Sequence, residues 1–244
     1  MPVPLALSPR GPHRRLVLGA GAAIVIAVAI ALVAWWPRAE RDASRAEVPP
    51  GPVVLVPGYG GGTDGLDALA VRLRAAGHTV TVLQLVGDGT GDLQTQAVKL
   101  KATVDGLVSA GATSVDVVGY SAGGVVTRIW AGELGGAAVA RRIVLLGSPN
   151  HGTALAGLGV ALGSSLCSLA CQQLAPDSAL LKRLDADRDA PAGPQWVSIW
   201  TTADQVEHGQ LPTDPAVQGL VLRALAATPW TVPGPADCAS LRAH

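Results

Sequence analysis

The sequence predicts an α/β fold, a mostly parallel, doubly wound sheet covered by helices. Three observations carry this expectation. From Val53 onward, short apolar runs alternate with segments of helical period, the order that builds parallel sheets. Val53 to Val56 is apolar without interruption, as a strand buried on both faces requires, whereas a half-exposed strand would alternate. Val115 to Val118 passes through Gly119-Tyr120-Ser121-Ala122-Gly123 into a further apolar segment, so strand, sharp turn and helix follow one another without a linker.

Taken in order, Val53 to Val56 forms the first strand and a glycine-rich loop follows it. A helix is expected from about Asp64 to Ala75, and the β-branched stretch Thr79 to Leu85 reads as the second strand. Asp92 is a good N-cap for a helix whose apolar positions Leu93, Ala97, Leu100, Val104 and Leu107 recur at helical spacing. Val115 to Val118 makes the third strand, with a helix over Val125 to Ala131, and Ile143 to Leu146 makes the fourth. Trp196 to Trp200 is the fifth, and Pro215 to Ala226 closes with a helical pattern. Beyond Thr228 the chain turns Pro-rich and irregular and is expected to be disordered.

A length of 244 residues suits one ordinary domain with an appendage. Apolar residues make up 49% of the chain, but aromatics only 3% with no Phe, so Ala, Val and Leu must fill the core. The formal net charge is zero and no basic patch stands out, so nothing points to nucleic acid as a partner. No His or Cys cluster has metal-ligand spacing, and no metal site is expected.

Arg14 and Arg15 precede an uncharged apolar run from Leu16 to Trp36, whose 21 residues reach about 30 Å as a helix, the thickness of a bilayer core. Trp35 and Trp36 then sit where an interfacial aromatic belt belongs. A cleaved signal peptide is the rival reading; the run is longer than an ordinary signal core and no A-x-A site ends it. The arginines are nearly balanced between the two flanks, and an extracytoplasmic placement of the rest of the chain, anchored or secreted after cleavage, is the orientation adopted. The organisation expected is residues 1–36 as signal or anchor, 37–52 as linker, 53–227 as the α/β domain and 228–244 as a disordered tail.

Residues 119–123 match G-x-S-x-G in the strand–turn–helix setting that a nucleophile elbow needs, which marks Ser121 as a candidate nucleophile. The helix start behind Ser121 offers free N–H groups to a developing oxyanion. The glycine-rich loop Pro57-Gly58-Tyr59-Gly60-Gly61 would bring a second donor, so the amides of Tyr59 and Ala122 are the candidate oxyanion pair. The same loop fits G-x-G-x-x-G at Gly60, Gly62 and Gly65, with Asp88 downstream, which makes a dinucleotide-binding protein a formal alternative.

The base must be a histidine near the carboxyl ends of the strands. His13 precedes the apolar run, His244 ends the chain, and His78 enters a strand at the opposite edge of the sheet. His151 and His208 remain. Asp204 and His208 follow the fifth strand in the order Ser, acid, His, which favours His208 as base and Asp204 as its orienting group, with His151 the second candidate. Cys167 and Cys171 lie four apart; outside the cytoplasm a bridge between them is reasonable, and two buried thiols are the alternative. The apolar stretch Ala154 to Leu169 would line an acyl groove or pack as core.

The segments VVLVPGYGGG, VDVVGYSAGG, IVLLGSPNHGT and WVSIWTTADQV, spread from Val53 to Val206, resemble the small bacterial lipases and esterases of the α/β-hydrolase superfamily, including the lidless minimal lipases and secreted actinobacterial relatives. The resemblance implies an α/β-hydrolase fold with Ser121 as nucleophile, Asp204 as acid, Tyr59 and Ala122 as oxyanion donors, and a Cys167/Cys171 pair like that of exported relatives. It implies a lipid or small ester substrate and no cofactor. The family places a further strand between acid and histidine, whereas only Gln205, Val206 and Glu207 intervene here, so a sheet truncated at its last strand is expected. The resulting expectation is a serine carboxylic-ester hydrolase using a Ser-His-Asp triad and an acyl-enzyme. Its rival is a catalytically impaired hydrolase fold serving as a binding or envelope-associated module.

Overall fold

A computed structural model describes residues 48–163, 167–187, 190–201, 206–228 and 230–234. All lie in one compact unit, Ser44–His244. Its centre is a five-stranded parallel sheet of β1 (Val53–Val56), β2 (Val80–Val82), β3 (Val115–Tyr120), β4 (Ala140–Leu146) and β5 (Gln195–Ile199). The spatial order is β2-β1-β3-β4-β5. The chain steps from β1 outward to β2 and then crosses back to β3, so the order reverses between β1 and β3. In sheets of this kind the crevice beyond the carboxyl ends of those two strands is where ligands bind.

Each central strand is buried on both faces, and the period of two divides its side chains between two cores. Val54, Val56, Val117, Ile143 and Leu145 pack under α2 (Leu93–Ser109), α3 (Ala122–Glu133) and the shorter helices α4 (Ala154–Leu162), α5 (Leu169–Gln173) and α6 (Ala179–Asp187). Val53, Leu55, Val118, Val144, Leu146, Val197 and Ile199 pack under α1 (Asp64–Ala75) and α7 (Pro215–Leu225). Truncating a fully buried leucine such as Leu69 or Leu100 would cost about 2–5 kcal/mol, the lost transfer free energy plus the cavity left behind. Asp92 caps α2 as expected, accepting from the Gln94 amide at 3.1 Å, and Asp214 caps α7 through the Val217 amide.

Several boundaries differ from the sequence expectation for physical reasons. The second strand ends at Val82 rather than Leu85. The backbone of Val86 is bonded instead by the Gln96 side chain, which accepts from its N–H at 2.8 Å and donates to its C=O at 3.0 Å, so the chain curls onto α2. The fourth strand begins at Ala140, not Ile143, because Arg141 and Arg142 are themselves buried. The fifth is shifted to Gln195–Ile199, leaving Trp200 exposed, and the helix expected over Val125 to Ala131 extends over Ala122–Glu133. Within the tail, Trp230 lies partly buried against the α1/α7 core.

The 16–36 run lies outside the described residues. Among the described residues no helix is long and apolar enough to cross a membrane.

Candidate active site

The last residue of β3 is Tyr120 and the first of α3 is Ala122, so Ser121 alone makes the turn. Its φ of 52° and ψ of −126° are unique among the described non-glycine residues in the sign of φ, a conformation that stores about 1–3 kcal/mol and persists only where neighbours enforce it. The enforcement is visible. Ser121 N–H donates to Leu146 O on β4 at 2.9 Å, and Gly124 N–H donates back to Ser121 O at 2.9 Å. The helix can start this close to β1 only because residue 123 is glycine: a Cβ there would overlap the carbonyl oxygens of Val56 and Pro57.

The loop after β1 closes on the same point. A Cβ at Gly58 would lie 3.0 Å from Ser121 Cβ and 3.5 Å from its Oγ, so this loop runs directly beside the nucleophile. Tyr59, next in the chain, is half exposed, and its hydroxyl lies 3.1 Å from Ser168 Oγ at the N-terminus of α5. Ala122, the other expected oxyanion donor, is buried at the first position of α3, the end of the helix where amides lack intrahelical partners.

His208 opens a single 3₁₀ turn, His208–Gln210, and its Nε2 lies 2.9 Å from Ser121 Oγ across 87 residues of chain. Asp204 lies outside the described residues, within 202–205. The flanks of that segment approach one another, with Thr201 Oγ1 donating to Val206 O at 3.5 Å. His151 faces elsewhere: its Nδ1 is 3.3 Å from Asp185 Oδ2, and Arg128 Nη2 holds the other oxygen of Asp185 at 3.0 Å. Burial pushes the Asp185 carboxyl upward, but the bonds from Arg128 and His151 outweigh it and hold its pKa below the ordinary value.

The glycine loop offers little to a dinucleotide. Gly65 abuts Pro212, the backbone of Gly61 meets the turn at Asp88 and Gly89, and the Asp88 carboxylate is engaged by the N–H and hydroxyl of Thr90 at 3.0 and 2.7 Å. Among the described residues no group of three His, Cys, Asp or Glu side chains could hold a metal ion.

Cys167 and Cys171 are joined in a disulfide that braces the turn carrying Ser168. Gly159 of α4 sits on its sulfurs, and Ala156 is the buried residue of that helix. The remainder of α4 is turned outward, with Leu155, Leu158 and Leu162 exposed by 78%, 55% and 65%. The 154–162 part of the apolar stretch is therefore a surface feature rather than packed core. Two bordering side chains were not legible as site residues, Tyr120 and Ser168; each acts through a contact across 88 or 109 residues, for which the sequence carries no local signal.

Residues 106–214, which include Ser121, Asp204 and His208, match the family model described as lipase (class 2). A search of curated proteins returned no match. Among solved structures, Aspergillus fumigatus lipase B is similar with a TM-score of 0.64 at 17% identity, over 82% of this chain and 58% of that one. A Bacillus licheniformis lipase in its mature form gives 0.55 at 19% identity, over 70% of this chain and 73% of that one. In its propeptide form the same lipase gives 0.53 at 20% identity, over 61% of this chain and 35% of that one. This chain thus spans about a third of the propeptide form and under two thirds of the fungal enzyme. At such identities the structural likeness is one of fold, and together with the family match it makes the described unit an α/β-hydrolase fold of the kind found in bacterial and fungal lipases.

Proposed function

We propose that the chain is a serine carboxylic-ester hydrolase acting on lipidic esters. The observation that carries this reading is the 2.9 Å approach of His208 Nε2 to the hydroxyl of a serine held in a strained turn at the switch point of the sheet. Ser121 Oγ attacks the ester carbonyl carbon while its proton passes to His208 Nε2. The amides of Tyr59 and Ala122 receive the oxyanion, and collapse of the tetrahedral adduct expels the alcohol with the proton returned by His208. Water, deprotonated by the same imidazole, then releases the acid from the acyl-serine. Asp204 is assigned to the Nδ1–H side of the ring, holding the tautomer that leaves Nε2 free to accept.

The preference for lipidic esters is supported by the apolar face of α4, which rests on the disulfide turn whose Ser168 bonds Tyr59. The reading includes an extracytoplasmic domain tethered by the 16–36 run, supported by the length of that run and its flanking arginines.

The test is hydrolysis of p-nitrophenyl esters from acetate to palmitate by the full-length chain, beside Ser121→Ala and His208→Ala. Loss of turnover in both variants supports the assignment, and the chain-length profile separates lipase from esterase. A folded wild-type chain inert on every ester, and unlabelled by a fluorophosphonate, would leave an impaired hydrolase fold as the better reading.

A further inference from the structure

His208 is exposed and stands on one 3₁₀ turn, so its ring gains little order from its own element. It is held instead from the sheet. Tyr120, one peptide before the nucleophile, stacks on the imidazole with ring centroids 5.4 Å apart and an interplanar angle of 25°. Its hydroxyl donates to His208 O at 3.0 Å, an oxygen that also accepts from Leu211 N–H at 3.3 Å. Burial raises the phenol above its ordinary pKa, so the hydroxyl stays protonated and donating through the neutral and mildly alkaline range. A second wall is the backbone at Gly147, whose φ is 59°. A Cβ there would stand 3.2 Å from His208 Nδ1 and Cε1 and 2.5 Å from Leu211 Cδ1. Glycine at 147 therefore leaves the space that the ring occupies.

We infer that Tyr120 is a positioning residue for the base, holding the His208 imidazole in register with Ser121 through its ring and its hydroxyl together; the inference rests on the Ser121–His208 reading above. The hydroxyl fixes the height of the 3₁₀ turn and the ring fixes the tilt of the imidazole. Because Tyr120 and Ser121 are consecutive, the end of β3 supplies both the nucleophile and the clamp on its base, whose Nε2 is 2.9 Å from Ser121 Oγ. The aromatic face also attracts the imidazolium that forms when His208 takes the serine proton. Such support from the sheet matters here because only three residues separate Asp204 from His208 in the chain, and His208 itself stands on an exposed turn.

The experiment is a double-mutant cycle on the full-length chain: wild type, Tyr120→Leu, Tyr120→Phe, His208→Ala and the two double variants, assayed for kcat, KM and thermal midpoint on p-nitrophenyl butyrate. Tyr120→Leu is expected to lower kcat by about 10- to 100-fold with KM nearly unchanged, since misplacing a catalytic group acts on the transition state. Tyr120→Phe, which keeps the ring and loses the hydroxyl, is expected to fall between Tyr120→Leu and wild type. In the His208→Ala background neither substitution should lower the residual rate further, because Tyr120 acts only through that ring. The inference is overturned if Tyr120→Leu leaves kcat at the wild-type level, if KM rises while kcat holds, or if the loss persists undiminished without His208. Should Tyr120→Leu fail to fold, the cycle with Tyr120→Phe decides by the same criteria. A wild-type chain indistinguishable from Ser121→Ala would instead remove the hydrolase reading, and this inference with it.

Discussion

The two ends of the sheet treat polar groups in opposite ways. At the amino ends of β3 and β4, Asp116, Arg141 and Arg142 are 0%, 1% and 0% exposed. Arg141 grips Asp116 with two donors, Nε to Oδ1 at 3.0 Å and Nη2 to Oδ2 at 2.5 Å, and the Arg142 amide adds a third bond at 3.1 Å. Both guanidinium groups then run on to the C-terminus of α7. Arg141 reaches Leu225 O at 2.7 Å and Ala226 O at 3.2 Å, and Arg142 reaches Ala224 O and Thr228 O. Cations at the negative end of a helix satisfy carbonyls that have no partner within it. At the carboxyl ends, by contrast, Tyr59 and His208 are exposed and Ser121 is partly exposed, and their side chains are held by neutral hydrogen bonds and ring stacking rather than by buried ion pairs. Helix α7 is tied at both ends: the arginines fix its C-terminus, and Gln218, donating to Pro212 O at 2.8 Å and accepting from Arg72 at 2.9 Å, fixes the loop that leads back to His208. Buried charge serves where nothing has to enter, and partly open, uncharged contacts serve where a substrate must.

The contrast is broken most sharply by comparing one substitution at each end. Ser121→Ala should lower ester turnover by about 10⁴- to 10⁶-fold, as loss of a nucleophile does, while leaving the thermal midpoint unchanged or slightly raised. Asp116→Ala should do the reverse: removing one partner of a buried pair leaves Arg141 uncompensated and costs about 3–5 kcal/mol in denaturant titration. The folded fraction of that variant should retain its rate per active site, titrated by a fluorophosphonate. A fall in per-site rate would mean that the lower clamp reaches the catalytic end through α7.

A smaller effect should come from the brace beside the site. Replacing Cys167 and Cys171 together by Ser closes no loop in the unfolded chain and should cost about 2 kcal/mol. Because the bridged turn carries Ser168 and supports α4, activity on long-chain esters should decline more than on acetate, read as a ratio of kcat/KM. An unchanged ratio would detach α4 from acyl recognition.

What the sequence disclosed follows the same division. Short apolar and β-branched stretches gave all five strands, and the glycines flanking Ser121 gave the elbow, since both are local in the chain. The start of β4 was hidden because Arg141-Arg142 reads as surface until Asp116 and the end of α7 are known to neutralise and bond it. The end of β2 was hidden because a glutamine on the following helix replaces a neighbouring strand as the partner of Val86. His208 was separable from His151 by order along the chain, yet its support by Tyr120 is a contact between residues 88 apart and had no local signature. The helices over 154–162, 169–173 and 179–187 were not foreseen as helices, being short segments between two strands.

Between the two ends lies an intermediate case, and it yields the smallest expected effect. Arg128, 3% exposed, joins Asn150 O to Asp185, whose carboxylate is itself more open and also meets His151. The Asp185 pKa is lowered in the folded chain, so its contribution to stability is present above the ordinary aspartate value and is lost as pH falls through the lowered one. The gap in thermal midpoint between wild type and Asp185→Asn should therefore be present above the ordinary aspartate range and close as pH falls below about 4. A gap that persists undiminished at the acid end would show that Asp185 works by shape and neutral hydrogen bonding. Arg128 would then belong with the buried clamp below, rather than midway between a structural charge and a functional one.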